Sequence, residues 1–302
     1  MRRIETALRY FTKRRDIMDR ARALAPHLPE FARAITDFAP VLPEAYRIAR
    51  RMGIRGLPPL FHISHQAALH SRHTATPRPR WFERVNWLAA QRYINSINGD
   101  IDIGFHYERY DDSILTPPIS DQVFQLKPTF DNNIILVYLR GSPKFLVQSC
   151  HDIDPRGEHE WHIHTAAATC CEHPAKHIWV FPIGPSYKQK VPHARGILTA
   201  SGLMGPAELL HLGKPFVAVP TPGHSEQAYN AAALEIISHV TVVYDIDSQV
   251  SRQAIRRTFL EAKDAKAPLV RKGLMGRVGP YSDIRPEVEQ RIFGSLRTAA
   301  SV

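Results

Sequence analysis

The chain is short of cysteine, has no long apolar run and contains no repeated or low-complexity tract, and each absence narrows what it can be. Only three cysteines occur among 302 residues, with Cys170 and Cys171 adjacent. A disulfide framework needs pairable, separated positions, so reduced thiols are expected, and none sits as an obvious nucleophile. No stretch reaches the roughly 18 consecutive apolar residues of a membrane span, and the N-terminus lacks the apolar core of a signal peptide. A cytoplasmic location is therefore expected. With no fixed-period repeat, solenoids and propellers are excluded. No helix-turn-helix, zinc-finger or RNP motif is present, and no nucleic-acid partner is expected.

Acidic residues are in deficit. Thirty-nine Lys and Arg face 29 Asp and Glu, for a net charge of +10, and residues 1–60 hold 13 basic against 6 acidic residues. Such a basic end suits nucleic acid, anionic lipid or phosphorylated ligands, and charge alone does not choose among them. Within residues 1–24, Ile4, Leu8 and Phe11, then Ile17, Ala21 and Leu24, recur at helical spacing between arginines and lysines. This predicts a basic amphipathic helix that packs on the body of the protein or lies on an anionic membrane surface.

What is present is alternation. A strand within 31–40, a helix over 44–53 ended by Gly53, a strand over 60–66, a helix within 78–99 and a strand over 101–107 give β-α-β-α-β order. That order implies a mainly parallel sheet covered by helices. The proline-bearing stretch 110–133 reads as a link. Strands then recur at 134–141, 160–166, 177–183, 195–201, 215–220 and 239–246, followed by a helical tail after Gln249. The expected domains are 1–128 and 129–302.

Positions 195–235 carry most of the chemistry. Ser201-Gly202 follow a strand and precede a helix with Pro206 near its start, where a missing N–H does no harm, and Gly213 just past its end. Backbone N–H groups of residues 201–205 thus stand at the carboxyl edge of a parallel sheet, a cradle for a diphosphate. Glu208 is expected in the first turn of that helix, within reach of ribose hydroxyls. The next loop, Thr221 to Ser225, contains His224 and leads into a helix on which Gln227 and Asn230 share a face and are placed to read sugar hydroxyls. Arg140, closing the first strand of the second half, is a candidate for neutralising a leaving diphosphate.

Read in order, Ser201-Gly202, Glu208, Gly213-Lys214-Pro215, Val219-Pro220, Glu226-Gln227 and Asn230-Ala231 resemble the donor-binding region of GT-B glycosyltransferases, close to family 28 and the peptidoglycan N-acetylglucosaminyltransferase group. The resemblance implies an α/β fold of two Rossmann-like parallel-sheet domains facing a cleft. It implies donor contacts from Ser201, Gly202, Leu203, Met204 and Gly205 to phosphate, Glu208 to ribose, and Glu226 and Gln227 to the transferred sugar. Such enzymes usually open with a strand, a Gly-rich loop and Gly-His. This chain opens with the basic helix instead, so an incomplete N-terminal domain is expected, through start-site choice, natural reduction or a partner subunit that supplies the rest.

Histidines crowd two places. His159, His162, His164, His173 and His177 lie near Cys170 and Cys171, but no recognised zinc spacing brackets them, and no metal or other cofactor is expected. His65, His70 and His73 lie near the end of the strand over 60–66, and His65 is the first candidate for a general base on an acceptor hydroxyl. The expected function is transfer of a sugar from a nucleoside-diphosphate sugar, UDP above others, to a hydroxyl acceptor that is unidentified and open to being lipid-linked. The alternatives are a donor-binding subunit without an acceptor site of its own, and a sugar-nucleotide epimerase on the same architecture.

Overall fold

The computed structural model describes residues 14–37, 40–63, 99–107, 114–115, 117–129, 133–236, 240–260 and 279–293. These fall into two compact units, one of residues up to 115 together with those from Val288 onward, the other running from residue 117 to Glu287. The division falls beside residue 115, whereas the sequence suggested 128/129.

The first unit holds strands β1 (Ala34–Thr36), β2 (Leu60–Ile63), β3 (Ile101–Phe105) and β4 (Ile114–Leu115), all parallel and in that spatial order. The helix expected over 44–53 runs Val41–Arg51. It carries Arg50 and Arg51 where the helix dipole favours cations, and Gly53 takes the left-handed φ of 71° that stops it. Residues 14–24 are helical, and Ala21 is buried with Ala25, Leu28, Ala45, Tyr46, Ala49 and Leu60, while Leu24 packs against that cluster. The small alanines let the elements approach closely. Gly99 is required by the fold, because a Cβ there would strike Leu60 O and stand 2.8 Å from His62 N. His65, His70, His73 and the helix expected within 78–99, Gly99 apart, lie outside the described residues.

The stretch 110–133 is more than a link. It contributes β4 to the first unit and, to the second, β5 (Pro118–Ile119) and a short helix Asp121–Phe124 whose Ser120 cap accepts from Val123 N. Runs this short escape any periodicity argument.

The second unit is built on seven strands: β6 (Ile134–Tyr138), β7 (Glu160–Thr165), β8 (Glu172–Ala175), β9 (Ile178–Pro182), β10 (Gly196–Ala200), β11 (Phe216–Val219) and β12 (Thr241–Val242), in the order β12-β11-β10-β6-β7-β9-β8. All neighbours are parallel except β8 and β9. One face buries Ile135, Val137, Trp161, Ile163, Ile178, Val180, Leu198 and Val217 against helices Pro143–Ile153 and Gln249–Phe259. The near-continuous apolar runs expected of parallel strands made six strands legible. Edge strand β8 was not, since its Glu-His-Pro-Ala sequence is mostly exposed and shows no alternation. Short β13 (Gly279–Pro280) pairs with β5 and leads into helix Tyr281–Phe293.

Candidate functional site

From β6 the chain order runs outward through β7 and β9, and from β10 it runs outward the other way through β11 and β12. The reversal lies between β6 and β10. In open parallel sheets, ligands bind in the crevice beyond the carboxyl ends of the two strands that flank such a reversal. Here those ends are Tyr138-Leu139-Arg140-Gly141 and Ala200-Ser201-Gly202.

Each end runs into a helix. After β6, Ser142 caps helix Pro143–Ile153 by accepting from Phe145 N at 3.3 Å, and Arg140 just before it is exposed. After β10, helix Met204–His211 begins with no side-chain cap, and because Pro206 has no N–H, Met204 and Gly205 carry the N–H groups at its start. Gly202 leaves open space, for a Cβ there would meet nothing within 4 Å. Leu203 is buried and Met204 is 44% exposed. A Cβ on Gly205 would come no nearer than 3.9 Å to Thr199 Oγ1.

Because the helix begins at Met204, Glu208 lies in its second turn, not the first as the sequence suggested. It is half-buried, and that burial pushes its carboxyl above the ordinary range, opposed in part by Lys188. At the same carboxyl end of the sheet stands a grouping that sequence reasoning missed. Phe181, His164, Tyr138 and Thr199 are in register across β9, β7, β6 and β10, so they share a face. Tyr187, from helix Pro185–Lys190, stacks on Tyr138 at 4.5 Å. Strand register is not encoded by spacing along the chain, and no signal in the sequence joins these residues.

The expected donor residues divide in two. Ser201 is fully buried and its hydroxyl donates to Gln227 O at 2.8 Å, while Gln227 Oε1 accepts from Thr221 N at 2.8 Å. These side chains tie the β10 turn to the helix Ser225–Ile236 and to the loop before it. Lys214 is also buried, with Nζ donating to the backbone oxygens of Thr129 and Ala194. By contrast, His224 Nδ1 and Asn230 Nδ2 are buried without a hydrogen-bond partner, an unusual condition for polar atoms that a ligand would relieve. Glu226 is half-buried beside them in sequence.

The histidines of β7 are packed. Lys190 Nζ donates to His162 Nδ1 at 3.0 Å and lies 3.9 Å from the Phe181 ring centroid. Burial and Lys190 push His164 down to about 4, so it is neutral near pH 7. His159 is organised by Asp154, which accepts from the backbone N of Glu158 and His159 and from Trp161 Nε1 at 3.0–3.2 Å. Among the described residues no group of three or more His, Cys, Asp or Glu side chains could hold a metal ion.

No protein-family model and no curated protein sequence matches the chain. Solved structures do match its fold. The glycotransferase of kitacinnamycin aligns at a TM-score of 0.57 and 16% identity, over 91% of this chain and 81% of that one. MurG of Acinetobacter baumannii aligns at 0.58 and 14%, over 91% and 76%. LpCGTa, in a complex with UDP, aligns at 0.53 and 14%, over 94% and 81%. The chain therefore has the GT-B fold of these glycosyltransferases.

Proposed function

We propose that this chain is a glycosyltransferase that takes a sugar from a nucleoside-diphosphate donor, UDP above others, and passes it to a hydroxyl acceptor. The observation that carries this reading is the crevice between β6 and β10, where a half-buried carboxylate, an uncapped helix N-terminus, an open glycine and an exposed arginine converge. Glu208 accepts hydrogen bonds from the ribose hydroxyls. Residues 201–205 and Arg140 take the diphosphate. His224, Glu226 and Asn230 face the transferred sugar, with Gln227 fixing the loop that presents them. The LpCGTa structure, with UDP bound, gives the choice of nucleotide its support.

The reaction is a displacement at the anomeric carbon. The acceptor oxygen forms the new bond as the bond to the diphosphate breaks, a base takes the acceptor proton, and the helix N-terminus with Arg140 stabilises the departing charge. His65 remains the proposed base. A lipid-linked acceptor is a finer proposal, supported by the basic first unit. The described part of its N-terminal helix turns Ala21 inward and pairs Arg20 with Asp16 and Arg22 with Asp19, while Ile4, Leu8 and Phe11 lie outside the described residues. No described helix is long and apolar enough to cross a membrane.

Calorimetric titration with UDP and UDP-N-acetylglucosamine, beside a Glu208→Ala variant, tests the donor site. Micromolar binding weakened about 10- to 100-fold in the variant is expected, the worth of a charge-assisted hydrogen bond or two. Absence of binding by the unaltered chain would overturn the reading.

A further inference from the structure

None of the residues of helix Pro185–Lys190 is buried, and two of its side chains tie it to the sheet. Tyr187 stacks on Tyr138 of β6 at 4.5 Å and meets His164 of β7 edge-on at 5.4 Å. Lys190 Nζ donates to His162 Nδ1 at 3.0 Å and rests 3.9 Å from the Phe181 ring centroid. An ammonium only donates, so His162 Nδ1 is bare and the ring proton sits on Nε2, 3.4 Å from Glu160 Oε2. We propose that Lys190 and His162 form an acid-released latch: their bond holds the helix, and Tyr187 with it, while His162 is neutral, and a proton on Nδ1 breaks it. The latch goes beyond the donor reading and stands without it.

One nitrogen lone pair cannot hold a proton and accept a hydrogen bond together. Protonating His162 removes the acceptor and sets an imidazolium against the Lys190 ammonium, and with His162 only 7% exposed little water screens the two charges. Burial first and Lys190 second hold His162 below the ordinary imidazole value, against Glu160. The helix is therefore fully held above that ordinary value of about 6.5, and it is released as pH falls below it toward the lowered one. The neighbouring elements set the other charges. β7 brings Glu160, which favours the proton on His162, and His164, which is pushed down to about 4 and is neutral over most of that range. The turn before β8 brings Cys171, whose thiolate form favours the charge on Lys190. On β8, His173 is stacked on Trp179 at 3.8 Å and bonded to Lys176 O. β9 offers His162 the rings of Trp179 and Phe181, and β6 sets Leu136 beside it.

Carbon-13 NMR of the histidine rings and nitrogen-15 NMR of the amides of residues 186–190, from about pH 8 to pH 4, test the latch in the ligand-free chain. The proteins compared are the unaltered chain, His162→Asn, which offers Lys190 an acceptor that does not titrate, and Lys190→Met. In the unaltered chain the helix amides should move in a step that shares the His162 midpoint, below the ordinary imidazole range. That step should vanish in His162→Asn. In Lys190→Met, His162 should bind its proton about 3- to 10-fold more tightly, the worth of one partly screened charge pair, and the amides should no longer follow it. Amides that follow His164 instead of His162, a step that persists in His162→Asn, or a His162 midpoint unchanged in Lys190→Met overturns the proposal. Should His162→Asn not fold, the half-exposed Lys190→Met site decides by the same midpoint and the same amides.

Discussion

Two parts of the second unit, the tied turn at Ser201 and Gln227 and the open crevice at Gly202 and Glu208, are neighbours in sequence and opposite in physical character. Side chains of the first part end on backbone partners within the fold. In the second, Glu208 is half-buried and Gly202 has no side chain. A motif read along the chain mixes both kinds, and only the hydrogen bonds separate the residues that build the site from those that would touch a ligand.

The contrast can be broken by mutation. The largest stability effect should come from Asp154, remote from the crevice at the opposite end of the strands, since Asp154→Ala leaves two backbone N–H groups and the Trp161 indole without their acceptor. A loss of about 3 kcal/mol in urea unfolding is expected, with UDP affinity of the folded fraction unchanged. Burial alone would raise the Asp154 carboxyl, but these donors hold it below the ordinary value. Its contribution is thus present above the unfolded-state pKa and fades as pH falls through the folded one.

Next in size, Ser201→Ala should cost about 1–2 kcal/mol of stability, because Gln227 O loses its buried donor, and should weaken UDP only modestly. A Ser201→Ala protein of full stability with UDP binding abolished would place Ser201 on the ligand side instead. Glu208→Gln should behave in the opposite way. Its raised carboxyl means the folded state holds the proton more tightly than the unfolded chain, so ionised Glu208 opposes folding above its pKa. Thermal melts near pH 8 should show an unchanged or higher Tm beside weakened UDP binding. UDP affinity of the unaltered chain should fall as pH drops through the Glu208 titration, at a higher pH than an ordinary carboxylate would give. Smallest of all, Gly202→Ala should shift stability by less than about 0.5 kcal/mol, for its Cβ meets nothing, and any larger loss of UDP affinity marks ligand approach there.

Much of this was readable beforehand. The strands around 134–141, 160–166, 177–183, 195–201 and 215–220 declare themselves by apolar runs, and Gly213 stops its helix with a φ of 62° as expected. Glu208 stands out from its place on the helix after β10 and from the resemblance, but the sequence puts it one turn too early because no capping residue marks the start at Met204. The meeting of Tyr138, Tyr187 and His164 is invisible in the sequence, since it comes only through strand register and the short helix Pro185–Lys190. His65 lies outside the described residues, and the acceptor side stays a proposal.

Strand β8 has a further effect. It forms one edge of the seven-stranded sheet, where a row of backbone groups would ordinarily invite another chain to add a strand. Pro174 lacks the donor such pairing needs, and the register with β9 is irregular between Glu172 and Ala175. That edge is guarded against self-association, so crowding or concentration should not drive this protein to aggregate through β8.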